Sequence, residues 1–337
     1  MRLKTFRGGI HPPKTKLTAL DPIQVMNPPQ LVVIPMQQHI GAPCTPLVKV
    51  GDLVKMGQKI GDSQSYVSAP VHSSVSGKVK SIAMVDSALG SKTMSITIEN
   101  DFQDTPAEDI SGPRFLDNMS ADEIRTMIKD AGIVGLGGAG FPTSVKLAPP
   151  ADKKIEMLII NGVECEPYLT CDQRVIIEET ETMILGIRAM MKVLGVTHAY
   201  IGVKITMEGA IEALHGKMLA EKGIDIVPLV PKYPQGEERQ LVYAVTGREI
   251  PTGGLPHDVG VVVANVATAW AIGRTLQTGK PLIERVMTFS GAVGKPGNFL
   301  VRVGTKIEDA LQAVGGYAGI PGSVVVGGPM TGFAQYH

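Results

Sequence analysis

Residues 132–147 read GIVGLGGAGFPTSVKL, with four glycines (Gly135, Gly137, Gly138 and Gly140) closely spaced ahead of Phe141 and Lys146. Removing side chains from so many neighbouring positions lets backbone N–H groups approach an anion or a flat ring, and a nearby lysine adds positive charge for phosphate. That chemistry suits a phosphate-containing cofactor better than a plain turn, which needs only one or two glycines. The letters from Gly135 to Gly140 also satisfy G-x-G-x-x-G. The dinucleotide fingerprint, however, requires a strand before the loop, a helix directly after it and an acidic residue about twenty positions on. Here Ser120 and Glu123 spell a capping box for a helix running to about Ala131, with Gly132 as its stop. The loop thus follows a helix, and Pro142 stands just past the last glycine. Glu156 and Glu164 lie at about the right separation, but the preceding element is wrong, and the fingerprint is rejected.

Two other stretches carry comparable chemistry. NGVECEPYLTCD (161–172) follows an expected strand at 155–160, placing Asn161, Glu164 and Glu166 at its C-terminal end, where open α/β sheets bind ligands. Two glutamates on a solvated loop would serve solubility equally well. YPQGEERQL (233–241) sets Gly236, Glu237 and Glu238 at a helix N-terminus, where acidic residues also simply stabilise the helix dipole. Cys165 and Cys171 have no His or third Cys nearby, so no metal pair is assigned. With Cys44 they make three cysteines, too few for a disulfide framework or a four-thiolate cluster. None of the seven histidines forms a ligand-spaced pair.

The elements that must position these residues fall into three textures. A chain of 337 residues is too long for one compact core. Residues 1–100 read as all-β: VKVGDLVKMGQKI (48–60) and VSAPVHSSVSGKVKSI (67–82) alternate Val and Ile between Gly-containing turns. Residues 101–115 are polar, with Pro106 and Pro113, and read as a linker. Strands and helices then alternate to residue 283: IEMLII, a long helical run from about Val175 to Leu194, AYIGVKI, a helix near 207–221, IDIVPLV, helical GEERQLVYAV, VGVVVANV and helical ATAWAIGRTLQ. This pattern implies a parallel sheet covered on both faces. From Glu284, two strands and a short helix opening near Thr305 form a small α+β module, 284–337. The expected fold is multidomain α/β, with a β domain at 1–100, an α/β domain at 101–283 and the module at 284–337. Lys plus Arg and Asp plus Glu both total 32, so no positive field exists to attract nucleic acid or anionic lipid. No run of 18 apolar residues appears, and no secretory h-region opens the chain, so neither a membrane span nor export is expected.

The β domain resembles the biotinyl/lipoyl barrel-sandwich type. Its expected hairpin tip, Asp62-Ser63-Gln64-Ser65-Tyr66, lacks the lysine a carrier modifies, so a structural module is expected. GLGGAGFPTSVKL, NGVECEP, YPQGEERQL, TGREIPTGGLPHDVG and NVATAWAI, with TFRGGIHPP and QHIGAP before them, occur in the order seen in the RnfC component of the Rnf electron-transport complex. The resemblance covers nearly the whole chain. The central part is also similar to the flavin-bearing NADH-oxidising subunit of complex I, and the terminal module looks like the soluble-ligand-binding β-grasp domain of both families. The resemblance implies FMN on the glycine loop and NADH stacked over it. By similarity, Gly135, Gly137, Gly138 and Lys146 hold the flavin phosphate and ribityl chain, helped by Asn161, Glu164, Gly236, Glu237, Asn265 and Thr268. Phe141, Glu166, Tyr233 and Glu238 face NADH. Leu136 and Val163 stand where the complex I relative has an arginine and an aspartate, which implies a less polar pocket. The resemblance further implies a peripheral protein on the cytoplasmic side of the membrane, partnered with other subunits of an Rnf-type complex and serving ferredoxin indirectly. Family members pass electrons to 4Fe–4S clusters held by cysteine repeats after the β-grasp module; this sequence ends at GGPMTGFAQYH with none. The alternative is a docking protein with a vestigial pocket, like the cluster-free NqrA component of sodium-pumping NADH:quinone reductase.

Overall fold

A computed structural model describes residues 3–13, 15–87, 90–218 and 221–335. The barrel sandwich is built from two small antiparallel sheets. One orders the strands Leu31–Pro35, Lys92–Asn100, Gly77–Asp86 and Leu53–Val54; the other orders Thr45–Pro46, Lys59–Asp62 and Val71–His72. Alternation decides which faces are inside: Val32 and Ile34 are buried and meet Ile96 and Ile98 of the neighbouring strand in a dry core with Ile60 and Val79. The hairpin from Lys59–Asp62 to Val71–His72 turns through residues 63–70, which contain no lysine.

Residues 3–13 and 15–26, grouped with the barrel by sequence, make contacts with the other two domains. Lys4 bridges Leu229 and Ile10 bridges Tyr233, while Ile23–Val25 pairs in parallel with Gly297–Arg302. The 101–115 linker is also fastened rather than loose. Met56 bridges Pro106, and Asp104 accepts a 2.7 Å bond from Arg302 of the terminal module.

The central domain is a four-stranded all-parallel sheet in the order Ile224–Leu229, Ala199–Lys204, Met157–Asn161, Val261–Asn265. The chain starts inside the sheet at Met157–Asn161, steps outward twice, then returns to the opposite side at Val261–Asn265. Helices Cys171–Glu178, Thr180–Leu194 and Val266–Thr278 pack with Ala121–Asp130 on one face, where Leu158, Ile160, Ile187 and Trp270 lie buried; Glu238–Thr246 packs on the other through Leu241. The Ser120–Glu123 capping box forms: Ser120 N donates to Glu123 Oε2 at 2.7 Å and Glu123 N to Ser120 Oγ at 3.2 Å. The long helix expected from Val175 to Leu194 is two helices. At Glu179 the backbone leaves helical geometry (φ −121°, ψ 27°), and the Thr180 hydroxyl takes the Ile176 carbonyl, competing with the main-chain ladder. The helix expected near 207–221 is Glu208–Met218; residues 219–220 lie outside the described residues.

Helices Thr180–Leu194 and Val266–Thr278 cross at two glycines. A Cβ on Gly186 would sit 1.8 Å from Ala269 O, and one on Gly273 would sit 1.9 Å from Thr182 O. The terminal module sets Glu284–Phe289 antiparallel to Gly297–Arg302, covers them with helix Ile307–Ala313 and adds a hairpin, Val324–Val326 with Phe333–Gln335. Among the described residues, no helix is long and apolar enough to cross a membrane.

Candidate functional site

The strand order creates a crevice. Met157–Asn161 and Val261–Asn265 are neighbours whose onward connections leave in opposite directions, and such a switch point opens at the C-terminal strand ends. Those ends are Asn161 and Asn265, register partners of each other. Asn161 Nδ2 donates to Gly236 O at 2.7 Å and its Oδ1 accepts from Val163 N at 3.1 Å. Asn265 caps helix Val266–Thr278 by accepting from Ala267 N at 2.8 Å, and its Nδ2 donates to Asp172 Oδ2 at 2.7 Å. Thus two of the expected residues tie together the 161–172 loop, the 236 turn and the last strand.

The glycine loop lies against this point. It follows helix Ala121–Asp130, as the rejection of the dinucleotide fingerprint requires, and is closed by the Val134–Pro142 bridge and a 2.9 Å bond from Gly135 N to Phe141 O. Leu136 N donates to Thr268 Oγ1 at 3.0 Å, anchoring the loop to the first turn of helix Val266–Thr278. Gly137, Gly138 and Ala139 are exposed, and among the described residues their N–H groups make no hydrogen bond of normal geometry. The adjacent glycines differ in kind. A Cβ on Gly137 would strike the Asn265 side chain at 2.5 Å, whereas a Cβ on Gly138 would meet nothing within 4 Å. Gly137 is required by the protein's own packing; nothing in the protein's packing requires a glycine at 138. The loop therefore fits an anionic or planar cofactor.

Lys146 ends the short helix Thr143–Lys146 and is half-exposed. Its Nζ donates to Glu238 Oε1 at 2.8 Å and to Val263 O at 2.9 Å, joining a residue expected at the flavin to one expected at NADH. Glu237 is the N-cap of helix Glu238–Thr246, accepting from Gln240 N at 3.0 Å, so the dipole-and-cap explanation of that glutamate holds. Gly236 is a close-packing position: a Cβ there would lie 3.2 Å from Cys165 Sγ. Phe141 is half-buried, and Tyr233 exchanges backbone hydrogen bonds with Ile10. Glu166 commits its carboxylate to the terminal module, accepting from Met330 N at 3.0 Å and Thr331 Oγ1 at 2.5 Å.

Glu164 is buried in a charged cluster. Its Oε1 accepts from Asp172 N at 2.8 Å, Lys16 Nζ lies 3.4 Å from its Oε2, and Lys204 Nζ donates to its backbone O at 3.0 Å. Carboxylate oxygens of Glu164 and Asp172 and the sulfur of Cys171 lie within 4.8 Å of one another. Burial, and then the Glu164 charge, push the Asp172 carboxyl up to about 7. Burial lowers Lys204 to about 8, with Lys16 beside it, and raises the Cys171 thiol far above its ordinary range. Arg285, on Glu284–Phe289, donates from Nη2 to Leu136 O at 3.3 Å, and its buried Nε has no partner among the described residues. Asp172, Arg285, Lys16 and Lys204 were not singled out by sequence. Only Asp172 carried any signal, as the last letter of the 161–172 stretch.

Three family models match in succession: an RnfC barrel sandwich hybrid domain over residues 4–103, a Nuo51 FMN-binding domain over 128–274 and an SLBB domain over 286–334. The chain is 46% identical over 334 residues to the C-type component of the Na(+)-translocating ferredoxin:NAD(+) oxidoreductase complex of Acetobacterium woodii, covering 98% of this chain and 75% of that protein. It is 47% identical over 335 residues to the corresponding component of the proton-translocating ferredoxin:NAD(+) oxidoreductase complex of Clostridium ljungdahlii, covering 99% and 73%. Among solved structures, an NAD+-reducing [NiFe]-hydrogenase in the air-oxidised state aligns with TM-score 0.51 at 23% identity, over 66% of this chain and 47% of that one, a likeness of fold.

Proposed function

The chain belongs to the RnfC family of ion-translocating ferredoxin:NAD(+) oxidoreductase complexes, and from that premise we propose that it binds FMN on the glycine loop and reacts there with NADH or NAD+. The observation that carries this reading is the exposed run Gly137–Ala139, whose N–H groups have no hydrogen-bond partner among the described residues and at which Gly138 is not required by packing, beside the switch point of the sheet. When bound, FMN supplies the acceptor for a hydride and the means of handing electrons on singly. The protein's part is alignment, with no side-chain acid or base required. Gly137, Gly138 and Ala139 donate N–H bonds to phosphate or ring oxygens, and Leu136, pinned by Thr268, keeps that loop in place. Gly135 closes the loop through Phe141. Asn161 and Asn265 hold the floor of the crevice, and Lys146 supplies the positive charge. Phe141, Tyr233 and Glu238 line the approach of the nucleotide, while Glu166 fastens the terminal module. The 4Fe–4S clusters of a longer family-type chain would take the electrons onward in a membrane complex, on whose cytoplasmic side the chain would sit as a peripheral component, with ferredoxin reached through the other subunits.

Titration of the purified chain with FMN, followed by NADH, tests the reading. FMN fluorescence is expected to quench on binding, and NADH to bleach the bound flavin with ferricyanide as the final acceptor. Lys146→Ala is expected to weaken FMN about tenfold or more, the scale of a lost charge-assisted hydrogen bond. Glu238→Ala is expected to raise the KM for NADH more than the Kd for FMN. Neither quenching nor bleaching at any concentration would overturn the proposal in favour of a docking protein with a vestigial pocket.

A further inference from the structure

We propose that Asp172, packed beside Glu164 and bonded to Asn265 next to the glycine loop, is a charge-setting element for that loop, so that anion binding there is linked to uptake of one proton by Asp172. The inference rests on the FMN reading of the loop and deepens it.

The geometry is a continuous chain. Asp172 opens helix Cys171–Glu178, and its Oδ2 holds the amide of Asn265, the side chain against which Gly137 packs. The Asp172 N–H holds Glu164 Oε1, bringing two carboxyl groups into one buried volume. A carboxyl group buried beside another carboxylate ionises less readily, and here that cost falls on Asp172. A proton on Asp172 Oδ1 leaves the Asn265 bond intact, because Oδ2 still accepts from Nδ2. What changes on its loss is charge: Asp172 gains a negative charge next to a loop proposed to bind a phosphate.

The groups facing the pair come from every neighbouring element. They are Lys16 from the N-terminal segment, Lys204 from the end of Ala199–Lys204, Arg285 from Glu284–Phe289, and Cys171 beside Asp172. Arg285 adds the link to the loop itself, since it bonds Leu136 O and leaves a buried Nε unpartnered. Lys204 loses its own proton at higher pH, which works in the same direction, so the informative window lies below its titration.

By linkage, a dianionic ligand binds better when Asp172 is protonated, and its affinity falls as pH rises through the Asp172 titration. The phosphate of FMN has its own second ionisation near about pH 6. Between about pH 6.5 and 7.3, above that ionisation and short of the Lys204 titration, the wild-type Kd for FMN is expected to rise about twofold. Asp172→Asn keeps an acceptor for Asn265 but removes the titration, and its Kd is expected to stay flat over that window. Glu164→Gln, which removes the like charge, is expected to move the wild-type midpoint to lower pH. Infrared difference spectra of the FMN-free protein give a readout independent of cofactor. A protonated-carboxyl band is expected to disappear across neutral pH in the wild type and to be absent from Asp172→Asn.

A wild-type Kd that is flat over the window, or an unchanged slope in Asp172→Asn, would overturn the proposal. So would the absence of a carboxyl band titrating near neutrality. If FMN fails to bind at every pH, the functional reading fails, and the infrared titration still decides whether Asp172 holds a proton at neutral pH.

Discussion

Adjacent glycines on one exposed loop separate what the fold needs from what the cofactor needs. Replacing Gly137 by Ala places a methyl carbon 2.5 Å from Asn265 Nδ2 and 2.6 Å from its Cγ, so either the loop or the asparagine must move. Moving Asn265 disturbs its cap on Ala267 N and its bond to Asp172. Overpacking and a weakened cap together are expected to lower stability by about 1–3 kcal/mol. Replacing Gly138 by Ala meets nothing within 4 Å, and Gly138 is not among the positive-φ glycines. That variant is expected to unfold within about 0.5 kcal/mol of wild type, or slightly above it through a stiffer unfolded chain. Its FMN affinity is nevertheless expected to fall about tenfold, about 1.4 kcal/mol, because the methyl group is added among the N–H donors proposed to face the cofactor. Gly138→Leu is expected to abolish binding with stability again preserved. Urea unfolding and FMN fluorescence titration on the same preparations measure both quantities. If Gly138→Ala and Gly138→Leu bind FMN as wild type does, the loop does not face the cofactor, and the inference from its open donors is wrong.

At the helix crossing, Gly186→Ala and Gly273→Ala each drive a Cβ to within 2 Å of a backbone carbonyl, and each is expected to cost at least about 2 kcal/mol in urea unfolding. Gly216→Ala, in helix Glu208–Met218 with open space around it, is the control and is expected to gain about 0.5–1 kcal/mol. His72, buried in the barrel, has its pKa lowered to about 4, first by burial and then by Lys59. Its folded pKa lies below its unfolded value of 6.5, so the stability tied to neutral His72 is complete above pH 6.5 and is lost as pH falls toward about 4, up to about 3 kcal/mol. His72→Gln is expected to flatten that part of the stability–pH curve; an unchanged acid slope in the variant would rule His72 out as its source.

What sequence carried of this molecule is what neighbouring residues decide. The Ser120–Glu123 box, the glycine-poor strands of the sheet and the helix ahead of the glycine loop are all settled within a few positions, and the rejection of the dinucleotide fingerprint followed from them. The break at Glu179 escaped because no glycine or proline marks it; the only local sign is the polar run Glu178 to Thr182 between two apolar stretches, which an exposed helical turn would show equally well. The contacts of residues 3–13 and 15–26 with the other two domains escaped because a short strand carries no mark of which sheet it joins.

The charged cluster escaped for the same reason at longer range. Lys16 meets Glu164, Asp172 meets Asn265 and Arg285 meets Leu136 across separations that no local pattern spans. Leu136 shows the consequence. Read as a residue, it takes the place of a guanidinium and implies a less polar pocket. Its carbonyl, however, receives the guanidinium of Arg285 from the terminal module, with Lys16 and Lys204 close to Glu164 nearby. Positive charge is supplied to the underside of the loop by a strand some 150 positions away, which also gives the terminal module a direct bond to the proposed cofactor loop. A module that bonds Leu136 through Arg285 and Glu166 through Met330 and Thr331 touches the site at two points, so its docking and the posture of the glycine loop are mechanically one problem.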